Sequence, residues 1–312
     1  MSLAFIFPGQ GSQSVGMARA LAEASPAARA VLEEVDEALS RHLSRLMFEG
    51  PEEELTLTAN AQPAIMAASL AALAVLEREA GLRLAERAAL VAGHSLGEYS
   101  ALAAAGSLTL ADTARLLRRR GEAMQAAVPP GEGAMAALLG LGLAEAQAIV
   151  AEAAEGEVLA AANDNAPGQV VVSGHVGAVA RAMRLARARG ARHSVLLPVS
   201  APFHCPLMQP AAEAMERALA EVPLARPAVP LVANVTAAPV SDPDEIRRLL
   251  VRQVTATVRW RESVEAMAEA GITRMVELGG KVLGPMVKRI AADIRTFPVV
   301  RPEDVDALLA AV

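Results

Sequence analysis

The chain has little of what staples, coordinates or anchors a protein. A single cysteine, Cys205, stands in 312 residues, so no internal disulfide can form and a reducing cytoplasm is the expected compartment. Five histidines, at 42, 94, 175, 193 and 204, are scattered without a spacing suited to a metal, and no metal is expected. Aromatic residues amount to 2%, with one Tyr and one Trp. No basic segment precedes the first apolar run, which soon reaches Pro8-Gly9, so no signal peptide is expected. The longest uncharged stretch, 55–76, is interrupted by Asn60, Gln62 and Pro63. Its apolar part, 64–76, is too short for a bilayer and predicts a buried helix, not a membrane segment. Lys and Arg number 29 against 35 Asp and Glu, and the net charge of −6 speaks against a nucleic-acid partner.

What remains is apolar bulk. Hydrophobic residues make up 53% of the chain, and a chain this long buries roughly three quarters of its surface in one large or two smaller domains. Short apolar runs alternate with longer helical patterns, which argues an α/β fold. Strands are predicted over 3–7 and 89–92, and helices over 15–24, 26–42, 64–80, 97–105 and 111–126. Between 134 and 197 the order changes to strand 134–140, helix 144–154, strands 158–162 and 169–173, helix 178–189 and strand 192–197. That string, βαββαβ, is the ferredoxin-like motif, and it is bracketed by Val128-Pro129-Pro130-Gly131 and Pro198. The expected architecture is a discontinuous α/β-hydrolase-like large domain, 1–127 and 198–312, with a small domain inserted at 128–197 and a ligand cleft between them.

Gly93-His94-Ser95-Leu96-Gly97 fits G-x-S-x-G where a strand runs in and a helix leaves. Glycines there permit the sharp turn that exposes a nucleophilic serine, with helix N-terminal N–H groups behind it for an oxyanion. A serine nucleophile needs a base, and His204, on the loop between Pro198 and Pro206, is the favoured one. His94 sits too close in sequence to face the hydroxyl and reads as a packing residue, while His175 starts a helix as a cap. Cys205, beside His204, reads as a small core residue and not as a rival nucleophile.

Arg120 stands among Leu116, Leu117, Ala123 and Met124 at helical spacing, so it projects from an apolar stripe while Arg118 and Arg119 do not. A buried guanidinium needs a planar acceptor. An internal Asp or Glu would serve, and so would a carboxylate carried by the substrate.

These residues carry a resemblance. Phe7-Pro8-Gly9-Gln10-Gly11-Ser12-Gln13, the block Gly93 to Ser100, Arg120-Gly121, Asn165-Ala166-Pro167-Gly168-Gln169, Phe203-His204-Cys205 and Gln253 resemble, in order, the malonyl-CoA:acyl-carrier-protein transacylases of fatty-acid synthesis. The resemblance implies that Ser95 accepts the acyl group and His204 activates it. It implies an oxyanion hole from the N–H groups of Gln10 and Leu96, and a main-chain carbonyl at Gln253 in place of the usual acid of a triad. Arg120 would clamp the malonyl carboxylate, with Asn165 and Phe203 in the substrate pocket. Coenzyme A thioester is the implied substrate, with no bound cofactor, and the implied partner is an acidic acyl-carrier protein met by a monomer. Docking candidates are Lys288, Arg289 and Arg187. The family commonly carries Glu-x-Gly-Pro-Gly before a lysine, whereas this chain has the shorter Glu277-Leu278-Gly279-Gly280-Lys281. The rival readings are a serine thioesterase or esterase, which would want an acidic third member, and a non-catalytic carrier-binding module.

Overall fold

A computed structural model describes residues 2–311. Ten strands follow one another: β1 (Ser2–Phe7), β2 (Ala88–Gly93), β3 (Gly133–Leu139), β4 (Leu159–Ala166), β5 (Gln169–His175), β6 (His193–Leu196), β7 (Leu231–Ala233), β8 (Ala238–Val240), β9 (Ile272–Leu278) and β10 (Arg295–Val299). Six form a sheet of order β10-β9-β1-β2-β7-β8, parallel but for β8. Leu3, Phe5 and Phe7 of β1 face one core, and Ala4 and Ile6 face a second on the other side with Trp260. Burial on both faces is why these strands read as continuous apolar runs without polar alternation.

The remaining four strands form an antiparallel sheet of order β4-β5-β3-β6, the pairing of a ferredoxin-like βαββαβ unit. Helices Leu143–Ala153 and Val176–Ala188 close one face over Ala136, Leu138, Val170 and Val172. Met135 and Val171, which alternate with them, point the other way into the main core.

Several helix ends differ from expectation. The helix predicted at 15–24 is Arg19–Ala24, because Gly16 (φ 92°) and Ala18 (φ 61°) are left-handed and cannot continue a helix. The one predicted at 26–42 stops at Leu39, where Ser40 (φ 49°) turns out. The largest difference is the helix predicted at 64–80, which runs Thr58–Arg78 with Pro63 inside it. Proline removes the N–H that the Ala59 carbonyl would have met, and that carbonyl instead accepts from Arg118 Nη1 at 3.3 Å. The helix is long and apolar enough to cross a membrane, yet its apolar window is wholly buried inside the protein.

Helix Leu110–Ala126 packs closely on this central helix. A Cβ on Gly121 would fall 2.6 Å from Ala59 Cα, so the approach requires glycine there. At the shortened 277–281 loop, the buried Glu277 carboxylate accepts from the N–H groups of Val282, Leu283 and Gly284 at 2.7, 3.0 and 2.9 Å. It thereby caps the helix Leu283–Ile290.

Candidate active site

The parallel strands deliver two loops to one place. β2 ends at Gly93, and helix Gly97–Ala104 leaves after a turn in which Ser95 has φ 54°. A Cβ at Gly93 would sit 1.9 Å from the Gly97 carbonyl carbon, and one at Gly97 would sit 2.2 Å from Phe7 O, so neither glycine can be replaced without moving backbone. The strained serine is held by Asn234: Ser95 N donates to its Oδ1 at 2.8 Å, and its Nδ2 donates to Gly93 O at 2.7 Å. The loop after β1 packs alongside, bringing Gln10 to the rim of a cavity of about 470 Å³. Among the described residues, the backbone N–H groups of Gln10 and Leu96 have no acceptor.

Ser95 Oγ lies 2.8 Å from His204 Nε2, and His204 Nδ1 lies 2.9 Å from the main-chain carbonyl of Gln253. A carbonyl only accepts, so Nδ1 carries the proton and Nε2 is free to take one from Ser95. Burial, reinforced by the nearby Arg120 charge, pushes the His204 imidazole down to about 3, which keeps it a neutral base.

Arg120 is 1% exposed. Its Nη1 donates to Gln62 Oε1 and its Nη2 to Gln253 Oε1, both at 2.9 Å, and Nη2 also reaches Ser95 Oγ at 3.2 Å. Its guanidinium carbon lies 5.7 Å from the Tyr99 ring centre. Among the described residues no carboxylate hydrogen-bonds this guanidinium, whose side-chain hydrogen-bond partners are two amides and the nucleophile, and Glu98 acts on it only as a nearby charge. The cavity at which it faces Ser95 is further lined by Met124, Met135, Leu197 and Phe203.

Other expected residues fall elsewhere. Asn165 is not on the cavity wall, because its Oδ1 pairs with His94 Nε2 at 2.8 Å, and Asn163 lines the cavity in its place. Register shifts in β4, between 161 and 163 and between 164 and 166, break the simple alternation that would set both side chains on one face. His94 packs against Trp260, with ring centres 5.8 Å apart. His175 stands at a helix start without capping it, and its Nδ1 accepts from Val158 N at 2.9 Å. Cys205 is buried with its thiol toward Pro202 O. Lys288 and Arg187 are exposed, whereas Arg289 is committed within the chain, donating to Gln169 Oε1 at 2.8 Å and Pro167 O at 2.6 Å.

Gln62, Glu98 and Asn234 were not foreseen. Gln62 had a signal, as a polar residue inside an apolar helix must find a partner. Asn234 had none, since only the tertiary approach of β7 to the elbow gives it work.

A serine activated by a neutral histidine, beside a buried cation, is the equipment of an acyl-transfer enzyme. The acyl transferase domain family matches residues 4–280, and the chain belongs to that family. It is 44% identical over 307 residues to the malonyl CoA-acyl carrier protein transacylase of Bacillus subtilis (strain 168), covering 97% of this chain and 95% of that one. Among solved structures it is similar to the acyl-carrier-protein-S-malonyltransferase of Bartonella henselae, with a TM-score of 0.97, 53% identity and coverage of 100% and 99%. It is also similar to a malonyl-transacylase solved in complex with its type II PKS acyl-carrier protein, with a TM-score of 0.96, 39% identity and full coverage of both.

Proposed function

We propose that the chain moves a malonyl group from malonyl-CoA to the phosphopantetheine thiol of an acyl-carrier protein through a malonyl ester on Ser95. The observation that carries this is Arg120, buried among neutral partners 3.2 Å from the nucleophile. A carboxylate two carbons from the reacting carbonyl would meet it there, with an approach that an acetyl group lacks. Ser95 Oγ attacks the thioester carbon while its proton passes to His204 Nε2. The tetrahedral oxyanion is received by the N–H groups of Gln10 and Leu96, and its collapse expels coenzyme A, which takes the proton from His204. The carrier thiol then gives its proton to His204 and attacks the ester, and the departing Ser95 Oγ takes that proton back from His204. No cofactor enters either half. The unit 128–197 acts as a small domain that walls the site, and the enzyme works as a cytoplasmic monomer.

Intact-protein mass measurement after mixing with malonyl-CoA tests the reading. The expected result is a malonyl adduct absent in Ser95→Ala and discharged by carrier protein. Free malonate accumulating without a carrier would mark a hydrolase instead.

A further inference from the structure

Behind the elbow lies a polar cluster whose side chains touch no substrate and take no part in the steps above. Glu98, Asn234 and Gln253 are 1%, 0% and 0% exposed. They come from the first turn of helix Gly97–Ala104, the residue after β7, and the last residue of helix Pro243–Gln253. Gln253 spans the cluster. Its Oε1 accepts from Arg120 Nη2, while its Nε2 donates to Ser95 O at 2.9 Å, to Asn234 Oδ1 at 3.3 Å and to Glu98 Oε2. The other Glu98 oxygen, Oε1, accepts from Asn234 N at 3.2 Å.

An amide is asymmetric, and the end that faces Arg120 decides whether the guanidinium meets an acceptor or a donor. Turning the Gln253 amide over would set its oxygen against three acceptors and its NH₂ against a cation. Of those three acceptors only Glu98 can carry a full charge, which it does above about pH 8, and hydrogen bonds to charged groups are the stronger ones. We infer that Glu98 is a positioning residue for acyl-group selection: it locks the Gln253 amide with its oxygen toward Arg120, and so aims the guanidinium at the carboxylate end of the acyl group. His204 escapes this dependence because it is held by the Gln253 main-chain carbonyl, which the helix backbone fixes. The inference rests on the proposal that Arg120 receives a substrate carboxylate.

The test measures acylation of Ser95 by malonyl-CoA and by acetyl-CoA in Glu98→Gln at pH 9, where the carboxyl is ionised. An amide there sets an NH₂ against either Asn234 N–H or the Gln253 NH₂, so one contact fails whichever way it turns. The expected result is a malonyl kcat/KM lowered about tenfold, with acetyl changed less than about twofold. In an Arg120→Gln background, Glu98→Gln should leave the malonyl/acetyl ratio where Arg120→Gln put it. Equal losses for the two acyl groups, or an undiminished effect without Arg120, would overturn the inference. If Glu98→Gln does not fold, Glu98→Asp makes the same test, since it keeps the carboxyl and draws it back from the Gln253 amide. Loss confined to malonyl supports the inference, and loss shared by both overturns it. A wild-type enzyme that never forms the malonyl ester would overturn the underlying transfer reading as well, and is recognised without any variant.

Discussion

The two sheets of this protein carry opposite burdens. The six-stranded sheet is covered on both faces, and the loops leaving β1 and β2 hold Gln10 and Ser95. The four-stranded sheet is fastened at β4 and at the β4–β5 turn: Asp164 N donates to Val258 O at 3.0 Å, Thr257 Oγ1 to Ala161 O at 2.6 Å, Arg261 pairs with Asp164 at 2.9 Å, and Arg289 donates to Pro167 O and Gln169 Oε1. Its other edge, β6, leaves Val195 and Leu196 48% and 57% exposed. The reacting atoms of Ser95 and His204 lie outside the four-stranded sheet, which supplies walls such as Met135 and Asn163. Loss of a reacting group should therefore cost far more than truncation of a wall that the four-stranded sheet supplies.

The largest expected effects lie on the six-stranded side. His204→Ala should cut kcat/KM by about 10²–10⁴ for malonyl-CoA and acetyl-CoA alike, because both need the base. Arg120→Ala should cut the malonyl value by about 10–100-fold and leave acetyl nearly untouched, since only the malonyl carboxylate loses a charged partner. Release of coenzyme A from each thioester measures both. If Met135→Ala on the insertion cost the acetyl reaction as much as His204→Ala does, the division of labour would be gone.

Much of this was legible in the chain. The elbow follows from glycines flanking a serine between a strand and a helix, and Arg120 was found by its apolar neighbours at helical spacing. The βαββαβ string also reads directly, because each of its elements has its own periodicity. What stayed hidden depends on approach in space. Gly121 marks the crossing of two helices, and from the sequence it is only a poor helix former. Glu98 sits on an apolar helix without saying which donors meet it, and Asn165 was misplaced because the register shifts around Asn163-Asp164-Asn165 leave no trace in the sequence. Arg289 reads as a free cation until the β4–β5 turn is folded against it.

An intermediate effect sharpens the contrast through pH. Burial pushes the Glu98 carboxyl from 4.5 up to about 8, against the pull of the Gln253 amide, the Asn234 N–H and the Arg120 charge. Between those values the folded chain holds a proton that the unfolded chain has released, so this group lowers stability as pH rises through that window. His204 acts in the opposite sense. Its imidazole is lowered from 6.5 to about 3, so acid favours the unfolded chain across that range. The two slopes cancel where the windows overlap, so stability should be flat from pH 4.5 to 6.5 and decline on either side. Glu98→Gln should flatten the alkaline decline while sparing the acid one, and Glu277, also raised by burial, retains part of the slope. Urea midpoints from pH 5 to 8 measure this, and an unchanged alkaline decline in Glu98→Gln would place its origin outside the elbow.

The smallest expected effect concerns the outer surface. Lys288, on the helix Leu283–Ile290, and Arg187, on the inserted helix Val176–Ala188, are exposed, and an acidic carrier would be drawn to them. Single exposed charges contribute about 0.2–1 kcal/mol, so Lys288→Glu and Arg187→Glu should each raise the carrier KM only about two- to fivefold after charge reversal. Coenzyme A release in the first half-reaction should be unchanged, and added salt should shrink the difference. Arg289→Glu is expected to behave differently. Its guanidinium ties the large part to the β4–β5 turn, so its loss should also lower Tm and disturb malonyl-CoA acylation. A carrier KM unmoved by both Lys288→Glu and Arg187→Glu at low salt would clear this face of any docking role. A change with Arg187→Glu alone would assign the carrier to the inserted sheet, extending its part from shaping the cavity to choosing the partner.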